Sequence, residues 1–96
     1  MTLRIESSKP SIEEYYSLLR QVQNLLLVCK SEIARLRRIR NRCRDTQNIA
    51  KLNDKIEDLT KLRMYLENVI RYARKCRRDG YLDEAIQFLK EVLKNV

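Results

Sequence analysis

The sequence predicts an all-α chain, and three observations predict it. Turn formers are scarce, with one Gly and one Pro in 96 residues, whereas a strand-rich chain needs many tight turns and the residues that make them. The composition is dominated by Leu, Ile, Arg, Lys and Glu, all compatible with a helix. Apolar residues also recur at helical spacing over two long stretches. At this length the chain reads as a single helical domain, residues 1–96. Its core is expected to be thin, because a domain of this size buries only about 60–65% of its extended-chain surface.

Residues 1–10 are expected to be extended or disordered, and MTLRIESSKP lacks the hydrophobic region of a signal peptide. Pro10 blocks a helix from entering unbroken. Ser11-Ile-Glu-Glu14 then fits a capping box, in which Ser11 accepts from an early amide and Glu14 reaches back. A first helix is predicted over 11–44. Ile12, Leu19, Leu26, Ile33 and Arg40 fall at position a of a seven-residue repeat, with Tyr15, Val22, Cys29, Leu36 and Cys43 at d. Leu18, Leu25 and Ile39 add position g, making a three-sevenths apolar face.

Asp45-Thr46-Gln47-Asn48 interrupts the pattern with residue types that favour caps and turns. A second helix is predicted over 47–79. Ile49, Ile56, Arg63 and Ile70 stand at a, Leu52, Leu59, Leu66 and Ala73 at d, and Leu62, Val69 and Cys76 at g. It should end at Gly80, a left-handed cap onto which Tyr81 folds toward Cys76. A third helix is predicted over 82–95, with Leu82, Ile86, Leu89, Leu93 and Val96 as its stripe.

The short break makes the long helices antiparallel neighbours, with Leu26 level with Leu66, Ile33 with Leu59 and Leu36 with Ile56. The third helix is expected on the g side, over Leu18, Leu25, Leu62, Val69 and Cys76. Fourteen residues reach about 21 Å along helices of about 50 Å. The turn end, with Ile39, Cys43, Ile49 and Leu52, would stay a bare two-helix layer. Those four are therefore the candidate oligomer interface, and a dimeric, coiled-coil-like bundle is the expected assembly.

The segment 73–93, ARKCRRDGYLDEAIQFLKEVL, resembles the later part of a tetratricopeptide repeat, with Ala73, Gly80, Ala85 and Leu89 where that repeat favours small or apolar residues. The residues before 66 do not continue it, and no second copy follows at the repeat's period. The segment is therefore read as an ordinary helix–Gly–helix corner.

The chain carries a net charge of +8. All of the excess lies in two clusters. RLRRIRNRCR, residues 35–44, holds six arginines, and residues 71–78 hold Arg71, Arg74, Lys75, Arg77 and Arg78. In helical register Leu36, Ile39 and Cys43 point inward, Arg35, Arg38 and Arg42 take one flank, Arg37 and Arg44 the other, and Arg40 the seam's edge. Arginine exceeds lysine ten to one within the clusters, and its planar fork binds phosphate or carboxylate bidentately. The candidate nucleic-acid-binding residues are Arg35, Arg37, Arg38, Arg42, Arg44, Arg71, Arg74, Lys75 and Arg78. They would make sequence-non-specific phosphate contacts to DNA or RNA. The alternative is an assembly subunit whose arginine-rich end docks on an acidic protein. A peripheral membrane role is disfavoured, because the large apolar residues look committed to the core.

Tyr65 and Tyr72, seven apart among basic residues, could stack on bases, but packing under a neighbouring helix is the favoured reading. Histidine is absent, which removes an imidazole base and a histidine metal ligand. No carboxylate pair or nucleophile–base pair stands out, so neither an enzyme nor a cofactor is expected. Cys29, Cys43 and Cys76 are odd in number and form no CxxC pair. They read as buried, reduced thiols of an intracellular protein, cytoplasmic or nuclear. No apolar run is long enough to span a membrane.

Overall fold

The computed structural model describes residues 11–96, and those residues form three helices and no strand. The expectations for residues 1–10, Pro10 included, lie outside the described residues. Helix α1 runs Ile12–Arg42, α2 Thr46–Arg78 and α3 Leu82–Asn95. No helix among the described residues is long and apolar enough to cross a membrane.

Each helix end has a local cause. Ser11 Oγ accepts from the amides of Glu13 and Glu14 at 3.1 and 3.4 Å, which satisfies two of the donors that a helix start leaves open. The Glu14 carboxylate meets Lys90 Nζ of α3 at 3.0 Å. Helix α1 stops at Arg42, two residues before the expected end. Its last turn tightens as Cys43 N–H donates to the Arg40 carbonyl at 3.1 Å. Asp45 then caps α2, its carboxylate accepting from Gln47 N–H at 3.0 Å and its carbonyl from Ile49 N–H at 2.9 Å. At the other end of α2, Gly80 adopts φ 93°. Tyr81 N–H donates to the Cys76 carbonyl at 2.8 Å and Gly80 N–H to that of Arg77 at 3.2 Å. This is the Schellman pair of bonds. A Cβ at Gly80 would meet nothing within 4 Å, so the backbone angle, rather than space, calls for glycine there.

The described residues gather into two units, each taken by itself. One comprises residues 11–22 together with Val69–Val96, and the other is Gln23–Asn68. The first unit is built from three helices. Tyr15, Leu19 and Val22 of α1, Val69, Ile70, Ala73 and Cys76 of α2, and Ala85, Ile86, Leu89 and Val92 of α3 are all buried. The buried stripe of α3 is rotated from the expected one. Ala85 and Val92 join Ile86 and Leu89 inside, Leu82 and Leu93 are half-buried at its edges, and Val96 is exposed beyond the last turn. Tyr72 meets Phe88 of α3 edge to face, with ring centroids 4.8 Å apart.

The second unit has two helical segments. Its core is Cys29, Ile33, Leu36 and Ile56, with Leu52 and Leu59 packed against it half-buried. Leu66 is also buried in this unit. The Cys29 thiol donates to the Leu59 carbonyl at 3.1 Å, and burial pushes its pKa up. Lys30 and Glu67 approach to 3.9 Å at the surface. Ile39, expected inward, is 41% exposed. Position g lies at the rim of a two-helix contact, and among the described residues this unit has no third helical segment to cover it. Leu25 and Leu62, the other g positions of this unit, are exposed for the same reason, as are Val28 and Tyr65.

Candidate nucleic-acid interface

The end of α1 carries its arginines on a rigid element that the Leu36 side anchors in the core. Two of the six are held within the unit. Arg35 Nε donates to the Glu32 carboxylate at 2.9 Å, and a second guanidinium nitrogen joins the same carboxylate. That bond holds the Glu32 carboxyl below the usual carboxylate range. Arg40 Nη1 donates to Asn53 Oδ1 at 2.9 Å, as its place at the seam's edge predicts. Arg37, Arg38, Arg42 and Arg44 are exposed, and among the described residues none of them has an ion-pair or hydrogen-bond partner.

Between Glu32 and Asp54 the only acidic residue is Asp45, and its carboxylate is engaged in capping α2. This stretch of α1 and its connector therefore carries a strong local excess of positive charge, which is what attracts a polyanion. The early end of α1 changes one position. Arg44 stands in the 43–45 connector beyond the helix and does not occupy a helical flank beside Arg37. Cys43, expected to point inward from a helix, is half-buried in the same connector. Ile49 and Leu52 are half-buried as well, so the four candidate interface residues all keep some exposed surface.

The second cluster, in the three-helix unit, is spent differently. Lys75 Nζ pairs with Asp79 at 3.0 Å. Arg77 places its guanidinium 6.0 Å from the Tyr15 ring centroid and 5.6 Å from that of Tyr16, within reach of a cation–π attraction to both. Arg74 is close enough to Tyr15 to oppose the rise in that phenol's pKa, which burial causes and Arg77 resists first. Arg71 also has a partner. Arg78 is exposed and has no ion-pair or hydrogen-bond partner among the described residues.

Sequence reasoning missed the Arg77 role, although Tyr15-Tyr16 opening one helix and an arginine run closing another was a visible signal. Arg63 was legible as a charged residue at a seam position. Its Nε is buried without a hydrogen-bond partner, and its charge opposes the rise in the Cys29 pKa. Of the tyrosine pair, Tyr72 has its aromatic neighbour and Tyr65 is 46% exposed. The thiols of Cys29 and Cys76 are buried, and all three cysteines are free. Among the described residues no group of three or more Cys, Asp and Glu side chains gathers as metal ligands would. Compared with protein-family models, curated proteins and solved structures, the chain matches none.

Proposed function

We propose that this chain is a small nucleic-acid-binding or accessory protein that contacts phosphates, without reading sequence, through the arginine-rich end of its second unit. The observation that carries the reading is the set of four exposed arginines, Arg37, Arg38, Arg42 and Arg44, none with an ion-pair or hydrogen-bond partner among the described residues. Exposed guanidinium groups with no internal partner keep their full capacity to neutralise phosphates and release counterions. The role is one of binding and not of catalysis. An intracellular setting accords with three free thiols.

The long helices are proposed to form an antiparallel hairpin. Bonds that join Arg40 to Asn53 and Cys29 to Leu59 support that register, and a disulfide cross-link between Leu26→Cys and Leu66→Cys would test it. A homodimer is proposed to cover the partly exposed Ile39, Cys43, Ile49 and Leu52. A monomeric mass in dilute solution would remove it.

The second reading is an acidic protein partner. It is favoured by the exposed Leu25, Val28, Leu62 and Tyr65 in the same unit as the free arginines, since apolar surface suits a protein better than a phosphate backbone. Retention of the full chain on immobilised DNA, RNA and polyglutamate over a salt gradient separates the two. Phosphate binding predicts elution from nucleic acid at higher salt than from polyglutamate. Retention on polyglutamate alone would move the assignment to the acidic protein.

A further inference from the structure

We infer that the arginine-rich end takes a duplex, with B-form DNA as the ligand class, by straddling a groove. This rests on the nucleic-acid reading above and narrows it. Arg40 marks the direction of α2, because its guanidinium donates to Asn53. At about 100° per residue, Arg38 and Arg42 each stand about 160° from Arg40 and about 40° from one another. Arg37 stands about 60° from Arg40 and about 140° from Arg42. The free guanidinium groups therefore leave the end of α1 on two sides, and Arg44 extends the set into the connector.

A helix with its side chains is about 10–12 Å across, and the major groove of B-DNA is about 12 Å wide. Arginines that leave such a helix about 100–140° apart reach phosphates on both walls of the groove together. A lone strand offers one line of phosphates and satisfies one side at a time. The major groove of A-form RNA is deep and narrow, and does not admit side chains from a helix in this way.

The absence of stacking chemistry at this end points the same way. Proteins that hold single strands combine a basic track with aromatic side chains on which bases stack. No Phe, Trp or Tyr lies between Tyr16 and Tyr65. Tyr65 is about 28 Å along α2 from Thr46, beyond the reach of a base held at the connector. The surface is built for backbone contacts alone.

Anisotropy titration of the full chain at fixed salt tests this, with a labelled DNA duplex, each of its strands, and an RNA duplex of the same sequence. The duplex DNA should bind about tenfold tighter than the other three, and Arg37→Gln and Arg42→Gln should each lower the slope of log affinity against log salt by about 0.9. Circular dichroism of both variants should match that of the parent. If a single strand or the RNA duplex binds as tightly as the DNA duplex, the groove inference falls and the nucleic-acid reading survives. Absence of binding to all four ligands would overturn both.

Discussion

The two arginine clusters are similar in charge and opposite in use. In residues 71–78 the cations are drawn into the fold: Lys75 onto Asp79, Arg77 over two tyrosine rings and Arg74 near Tyr15, with Arg71 also partnered. In residues 35–44 two arginines are engaged and four are left over. The units that carry them differ in the same sense. Among the described residues, eleven of the sixteen buried core residues belong to the three-helix unit, whereas the two-helix unit has five. The partners of the 71–78 run come from Asp79 just past α2 and from Tyr15 and Tyr16 at the start of α1, whereas among the described residues no aromatic ring of the two-helix unit meets the 35–44 run in this way. A charge cluster is thus a binding surface only to the extent that the fold leaves it unspent.

The largest expected effect sets the clusters against each other. Replacing Arg37, Arg38, Arg42 and Arg44 by Gln should weaken duplex-DNA binding by roughly a few thousandfold near 0.1 M salt and lower the log–log salt slope by about 3.6. The same fourfold change at Arg71, Arg74, Arg77 and Arg78 removes equal charge. It should lower that slope by about 2, since among the described residues only Arg74 and Arg78 of this set lack an ion-pair, hydrogen-bond or ring partner. Equal slope changes for the two sets would break the comparison.

A second contrast concerns the cores. Leu89 is fully buried and Leu52 only partly. In urea unfolding followed by circular dichroism, Leu89→Ala should cost about 3 kcal/mol, in the range for a deep core truncation, and Leu52→Ala about 1 kcal/mol. Similar losses would mean that the two-helix unit is as tightly packed as the three-helix unit.

The smallest effect is a pH dependence confined to the three-helix unit. Burial holds the Tyr15 phenol protonated to a pH above the ordinary tyrosine value, with Arg77 opposing. A group whose folded pKa is raised contributes stability that is present below its unfolded pKa, about 10 for tyrosine, and is lost as pH rises through the folded pKa. Thermal unfolding should therefore fall less steeply above that pH in Tyr15→Phe than in the parent chain. Parallel curves for the two would assign the alkaline loss to other groups.

Much of the architecture was legible in the residues alone. Ser11, Asp45 and Gly80 act within a few residues of themselves, so their caps follow from local hydrogen bonding and backbone geometry. The seven-residue repeat placed Cys29, Ile33, Leu36 and Ile56 in a common core, because a helix converts spacing directly into angle. The location of the excess charge is likewise a property of the chain itself. What spacing could not settle is the cover over each position. Leu62 and Val69 share position g on one helix, yet the first is 36% exposed and the second 2%. Nor could it tell which arginines stay free. Position at the seam's edge set Arg40 apart from Arg42, but only the placement of Asn53 on another helix supplies the partner that engages it. Angle on a helix is set by neighbours in sequence, whereas burial and pairing depend on what a distant segment brings across the gap.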